Sequence, residues 1–118
     1  MTEAKRKALY DAGVDVAEGL RRAMGRESLY EALLDQFILD SNFMEIAVAI
    51  EAGNLTAAAQ KTEKFRQTAA PKGMMRLAAA CDALLEACDT SASLDAVQQR
   101  FGEVQSIYRQ IMQAIRMA

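Results

Sequence analysis

This chain of 118 residues contains no histidine, so any chemistry would depend on its other side chains, among them carboxylates, lysines, arginines and two thiols. Histidine is the usual general base near neutral pH and the commonest metal ligand in proteins. Its absence excludes Ser-His-Asp and Cys-His catalysis and the histidine-based zinc hydrolases. We therefore expect no metal site and no cofactor.

Carboxylates are plentiful, and pairs such as Glu3 with Asp11 or Glu86 with Asp89 resemble a general acid and its base. A chain with 16 acidic residues contains such pairs by chance, and a working pair needs one carboxyl group with a raised pKa. A di-metal helical bundle would need an acid and a histidine at i and i+3, which this composition rules out. We predict that the protein is not an enzyme.

Cys81 and Cys88 are the only cysteines. Their spacing places both on one face of a helix, two turns apart, which is too far for a disulfide within that helix. We interpret them as small core residues. So few cysteines indicate a reducing compartment, and we expect the protein to be cytoplasmic.

Methionine is frequent, with 7 residues in the chain. Those beyond the first residue could form an adaptable binding surface, a soft-metal site or part of the core: Met24, Met44, Met74, Met75, Met112 and Met117. Several of them fall on or beside apolar stripes, so core filling is the favoured interpretation.

The charge balance gives no general attraction to nucleic acids or anionic membranes, because the formal net charge is only -2. Hydrophobic residues make up 52% of the chain, which is enough for one core, and the length predicts a single domain over residues 1–118. The longest apolar runs fall far short of the roughly 20 residues of a membrane span, and no signal peptide is visible. We expect no nucleic-acid partner and no membrane partner.

Helices must position these side chains, because apolar residues recur at spacings of three and four without the alternation of a strand. Gly25, Gly53 and Gly73, with Pro71, mark helix ends. The predicted helices cover residues 15–25, 28–40, 42–52, 55–70, 74–89 and 94–117. Short connections favour antiparallel neighbours. The sequence thus predicts an all-α fold, an antiparallel up-and-down four-helix bundle with short additional N-terminal helices, and residues 1–12 as a flexible or peripheral helical N-terminus.

Local signals predict where helices begin and end. Two pairs have the N-cap and N3 spacing of a capping box: Asp15 with Glu18, and Ser28 with Glu31. Asn54 can cap the helix that follows it. Pro71 disfavours α geometry at the residue before it and is predicted to end the helix there.

Apolar stripes predict which helix faces are buried. The helix over residues 55–70 is expected to bury Leu55, Ala58, Thr62, Phe65 and Ala69. The next helix has a seam at alternating spacings of three and four: Met74, Leu77, Cys81, Leu84 and Cys88. The last helix continues this pattern through Leu94, Val97, Phe101, Val104, Tyr108, Ile111 and Ile115.

The segment around Glu63 carries a further pattern, in which Phe65, Arg66, Gln67, Ala69 and Gly73 follow it by two, three, four, six and ten residues. This pattern resembles the central motif of the histidine-containing phosphotransfer (HPt) domain family, which has histidine, leucine, lysine, glycine, alanine and glycine at these places. Further similarities are Gly53-Asn54, Leu77, Gly19-Leu20 with Arg22, and Tyr30 through Leu34 to Phe37. The resemblance covers about residues 13–115 and implies a four-helix bundle of a two-component phosphorelay.

Two departures from the family pattern change the implied function. Glu63 occupies the phosphoacceptor place, and Gln67 replaces the small glycine that leaves room for a partner's active-site loop. Arg66 keeps a cation where the family has lysine. Relay by the family's mechanism cannot occur without an imidazole. The resemblance therefore implies a module that binds a receiver domain, of a response regulator or hybrid kinase, without relaying phosphate.

The predicted partner-binding surface is the outward side of the helix over residues 55–70 with the basic residues beside it: Ala59, Gln60, Glu63, Lys64, Arg66, Gln67, Ala70 and Lys72. Two interpretations of Glu63 stay open. It supplies fixed negative charge in place of phosphohistidine, or it forms an ordinary surface pair with Arg66 on a scaffold that has lost its site. The alternative function is a structural or dimerisation bundle with no receiver partner, and a homodimer is left open.

Overall fold

Seven α-helices and one 3₁₀ turn make up most of residues 1–90 and 93–117, the part of the chain that the computed structural model describes. They are α1 (Glu3–Asp11), α2 (Val16–Arg22), α3 (Glu27–Leu39), α4 (Asn42–Glu51), α5 (Leu55–Ala69), the 3₁₀ turn (Ala70–Lys72), α6 (Met75–Asp89) and α7 (Leu94–Ile115). Within these ranges the extended pairing is limited to one antiparallel bridge, Val14 with Met74. The predicted all-α class is confirmed. Residues 91, 92 and 118 of the predicted domain lie outside the described ranges.

Side-chain caps begin several helices as the sequence predicted. Asp15 accepts a hydrogen bond from the Glu18 backbone N–H at 3.1 Å. The Glu18 carboxylate turns to Arg21 instead of returning to the cap, so only half of that capping box forms. Asn54 accepts from the Ala57 N–H at 3.0 Å and caps α5. Both N-cap residues were correctly predicted.

The second predicted capping box, at Ser28 and Glu31, is wrong. Helix α3 begins at Glu27 with Arg26 as its N-cap, and no side chain caps it. Ser28 therefore lies inside the first turn. The Glu31 carboxylate lies 3.6 Å from the Lys5 ammonium of α1. In a capping box this carboxylate would instead have accepted a hydrogen bond from the backbone N–H of Ser28.

Helix α5 ends within one residue of the predicted position, but the predicted backbone geometry before Pro71 is wrong. Helix α5 ends at Ala69 and tightens into the 3₁₀ turn, in which Ala70 keeps right-handed helical angles of φ -57° and ψ -45°. Proline is tolerated there because the first residues of a helical turn need no N–H donor. The chain reverses two residues later, at Gly73, where φ is +82°. A side chain at residue 73 would overlap the carbonyl oxygen of Asp15.

Helix α5 packs against α4 and α6, and α6 packs against α7, within a molecule of 42 × 22 × 20 Å. Four of the five predicted core residues of α5 are buried, and Leu55 is half-buried. Phe65 lies at the centre of an aromatic cluster, with its ring centroid 5.3 Å from that of Phe37 and 5.5 Å from that of Tyr108. This packing fixes the rotation of α5 and therefore the side chains that it presents outward.

The start of the chain contributes to the core. Residues 1–12, for which the sequence left a flexible or a peripheral helical form open, contain helix α1, and Leu9 and Ala12 are buried. Helix α1 packs against α7.

Several predicted core side chains lie at the surface. Met74 is fully buried, but four other methionines are exposed, so core filling was wrong for them: Met24, Met44, Met75 and Met117. Leu94 is also exposed, because it is the first residue of α7, and Cys88 is only half-buried near the end of α6. A periodic pattern predicts the direction of a side chain but not how far the neighbouring helix extends to cover it.

Candidate functional site

The outward side of α5 is set by the burial of its opposite side. Thr62, Phe65 and Ala69 are buried, so Glu63 projects from the helix with 40% of its side chain exposed. The neighbouring positions of the predicted surface divide by exposure. Gln60, Lys64 and Gln67 are exposed, whereas Ala59, Arg66 and Ala70 are half-buried.

Both oxygens of the Glu63 carboxylate are bound by side chains of the same helix. Arg66 donates from Nε to Oε2 at 3.2 Å and from Nη2 to Oε1 at 2.5 Å. Gln67 donates from Nε2 to Oε1 at 3.1 Å. The spacings i+3 and i+4 bring both donors over Glu63 on one helix face. The Glu63 carboxylate is thus fixed by hydrogen bonds from Arg66 and Gln67 and is not a freely rotating surface anion.

Arg66 connects this group to the next helix. Its Nε lies 3.3 Å from Oδ1 of Asp82 on α6. Glu63, Arg66 and Asp82 therefore form one charged cluster across α5 and α6, with a formal charge of one negative unit. We call these three residues with Gln67 the Glu63 cluster. Sequence reasoning missed Asp82, because nothing in its local pattern shows which residue of α5 it faces.

The charges of the cluster shift one another's pKa values. The hydrogen bonds from the Arg66 guanidinium lower the pKa of Glu63; desolvation opposes this shift, and the charge of Arg66 and the Gln67 amide add to it. The Glu63 carboxylate in turn raises the pKa of Arg66. Glu63 is therefore ionised at neutral pH, which is the opposite of what a general acid needs.

Lys72 is placed away from this cluster. Its Nζ donates to the carbonyl oxygen of Thr68 at 2.7 Å and lies 5.5 Å from the ring centroid of Phe37 on α3. Burial lowers the pKa of Lys72. Its own carbonyl oxygen accepts a hydrogen bond from the Tyr30 hydroxyl at 2.8 Å. Lys72 thus joins the 3₁₀ turn to α3 and is not brought to Glu63.

The two thiols are not chemically activated. Both cysteines are free, and Cys81 is fully buried as predicted. Burial, followed by the charge of Asp82, raises the pKa of Cys81 to about 12, so this thiol is protonated at neutral pH and is a poor nucleophile. Burial also raises the pKa of Cys88. Residues 1–90 and 93–117 contain no group of three potential ligand side chains that could hold a metal ion.

Comparison with known proteins adds no relative. No family model matches this chain, and neither a curated protein nor a solved structure matches it significantly. In the described ranges no helix has the length and apolar character needed to cross a membrane.

Proposed function

We propose that the protein is an HPt-like signalling module that binds a receiver domain through the outward side of α5 and does not relay phosphate. The observation that carries the proposal is that Arg66 and Gln67 bind the Glu63 carboxylate, at the position that the sequence resemblance matches to the phosphoacceptor histidine. The proposal includes an antiparallel four-helix arrangement of the main helices, with short additional N-terminal helices, and a cytoplasmic location.

The chemistry of the Glu63 cluster supports binding without transfer. A carboxylate could accept a phosphoryl group only as an acyl phosphate, and both of its oxygens already accept hydrogen bonds. Glutamate carries one negative charge, whereas a phosphoryl group carries nearly two. Arg66 balances the charge of Glu63, and Asp82 leaves the cluster with one negative unit. A partner would therefore meet a paired, polar cluster and not a close copy of phosphohistidine.

The exposed residues around the cluster would supply the rest of the interface. Gln60, Lys64 and Gln67 are exposed along α5, and Asp82 extends the surface onto α6. By the sequence resemblance, the Gln67 side chain would fill the position where the HPt family has glycine. The proposed complex therefore needs a receiver loop that approaches less closely than in a transfer complex.

The experiment measures binding of the full chain to the receiver domains encoded in the same genome, by pull-down followed by calorimetry. Gln67→Arg should weaken the complex because it adds bulk and charge at the centre of the interface. Gln98→Arg, the same change at an exposed position of α7, is the matched control and should leave affinity unchanged. Failure of every receiver to bind, or equal effects of the two variants, would contradict the proposal.

A specific observation favours a second function, dimerisation. Met44 and Val48, one turn apart on α4, are 63% and 59% exposed. They line an open cavity of about 410 Å³ between α4 and the start of α5. Exposed apolar groups of this kind are typical of protein interfaces. Sedimentation of the parent chain and of Val48→Lys tests this function, since a mass of one chain at all concentrations would exclude it.

A further inference from the structure

A cavity of about 580 Å³ lies apart from the Glu63 cluster, and no residue of α5 lines it. It lies between α1, the segment from Gly13 to Ala17, and the first turn of α6. Its volume falls within the roughly 300–1,000 Å³ that is usual for small-molecule sites. A ligand there would not overlap the Glu63 cluster.

The walls of this cavity are largely apolar. Val14 and Val16 are buried beneath it, and Tyr10 and Met75 stand at its sides with 74% and 53% of their surface exposed. A large aromatic ring and a thioether left in water beside a cavity lose that exposure when an apolar ligand enters. The walls therefore favour a ligand with an apolar body.

Two cations from different helices stand at the same cavity, Arg6 of α1 and Arg76 of α6. Arg76 is positioned by the fold, because its Nη1 donates to the carbonyl oxygen of Asp11 at 2.9 Å. It also packs on Gly13, where an added Cβ would lie 2.8 Å from Arg76 Nε. Gly13 has φ +83°, so both the space and the backbone angle require glycine there.

The charge of the cavity favours an anion. Among the described ion pairs none joins Arg6 or Arg76 to a carboxylate within 4.0 Å, although the charge of Arg6 also contributes to lowering the pKa of Glu27 on α3. Asp15 is the acidic residue that lines the cavity, and its Oδ1 accepts the hydrogen bond that caps α2. Two guanidinium groups against one carboxylate leave a net positive charge. Guanidinium groups bind carboxylates through paired hydrogen bonds.

We propose that this cavity binds a small amphiphilic carboxylate, with its apolar body against Tyr10 and Met75 and its carboxylate at Arg6 and Arg76. The site is independent of the receiver-binding proposal. Its lining residues belong to α1, to the segment from Gly13 to Ala17 and to the first turn of α6, and none belongs to α5. The proposal concerns binding alone and includes no chemical step.

The experiment is an NMR titration of the ¹⁵N-labelled full chain with two probes, 4-phenylbutyrate and its uncharged analogue 4-phenylbutanamide. The carboxylate should produce saturable amide shifts at Arg6, Tyr10, Met75 and Arg76. The neutral probe, 4-phenylbutanamide, should bind about tenfold more weakly, which is the effect of losing one charge-assisted hydrogen bond. Acetate should shift the backbone amide resonances of these residues only weakly, because it lacks the apolar body.

Arg76→Gln should reduce the affinity for 4-phenylbutyrate to about that for the amide. Arg100→Gln removes the same charge from the exposed side of α7 and should leave binding unchanged. Arg6→Gln, in an exposed turn of α1, is a second test if loss of the Arg76 contact disturbs folding. Absence of saturable shifts, equal binding of the two probes, or equal effects of Arg6→Gln and Arg100→Gln would overturn the proposal.

Discussion

Replacement of Phe65 by alanine tests the rotation of α5, on which the position of Glu63 depends. Phe65 is 1% exposed, and its ring contacts three others, those of Phe37, Phe43 and Tyr108, at centroid distances of 5.3, 6.1 and 5.5 Å. Removing a buried phenylalanine side chain costs roughly 3 to 5 kcal/mol through lost burial and the cavity left behind. Loss of three ring contacts places the expected value near the upper end, at about 5 kcal/mol.

The assay is urea denaturation followed by circular dichroism, with the slope m compared between variants. Glu63→Ala is the control two residues away, and its midpoint should stay close to that of the parent because it removes only a surface pair. A loss of about 5 kcal/mol approaches the whole stability of many domains. Phe65→Leu, which keeps most of the apolar volume, should give a smaller loss in the same direction.

The reasoning would be refuted by comparable losses of stability in Phe65→Ala and Glu63→Ala. That result would mean that Glu63 points inward, and the Glu63 cluster could not be a surface. A loss of less than about 1.5 kcal/mol for Phe65→Ala, the range of well-tolerated core changes, would show that the aromatic cluster does not hold α5 in place.

Three further predictions follow from individual contacts. Tyr30→Phe should cost about 1 kcal/mol, because it removes the hydrogen bond to the Lys72 carbonyl oxygen. Burial raises the pKa of Tyr30 from 10.0 to about 12, so the protonated hydroxyl stabilises the fold below pH 10 and this contribution is lost as pH rises through about 12. The free energy of unfolding of Tyr30→Phe should therefore fall less steeply with rising pH than that of the parent. Equal pH profiles in this range would contradict the prediction. Carboxyl ¹³C NMR should show Glu63 of the parent chain titrating at a lower pH than Glu63 of Arg66→Gln, since the guanidinium lowers its pKa. Any stabilisation from the pair is present above the ordinary pKa of 4.5 and disappears as pH falls through the folded-state pKa. Identical titrations of the two proteins would disprove the pairing. Glu63→His should accept phosphate from a phosphorylated receiver weakly and Glu63→His with Gln67→Gly more strongly, as radiolabel transfer would show, whereas equal labelling would refute the steric role of Gln67.

Short-range patterns predicted much of the local structure. The stripe through Ala58, Thr62, Phe65 and Ala69 predicted the buried side of α5, because one helical turn brings residues three and four apart together. The Ser28 capping box is wrong because α3 already begins at Glu27, and the Glu31 carboxylate contacts Lys5 of another helix. That competitor is distant in sequence, so local spacing could not reveal it.

The candidate site divides in the same way. The pairing of Glu63 with Arg66 was predicted from its i and i+3 spacing, and in the structure Gln67 at i+4 also donates to Glu63. Asp82 joined the cluster only when α6 packed on α5. The methionine prediction failed for Met44 and Met75, because coverage by neighbouring helices decides whether an apolar side chain is buried.

The sequence by itself determined that no imidazole chemistry is available and that Glu63 and Arg66 share one helix face. Both follow from composition and helical periodicity, which act within one turn. Tertiary structure alone decided that Asp82 completes the cluster and that Arg6 and Arg76 meet at one cavity. These groups are separated by many residues along the chain, so their proximity depends on how whole helices pack, which no local spacing encodes.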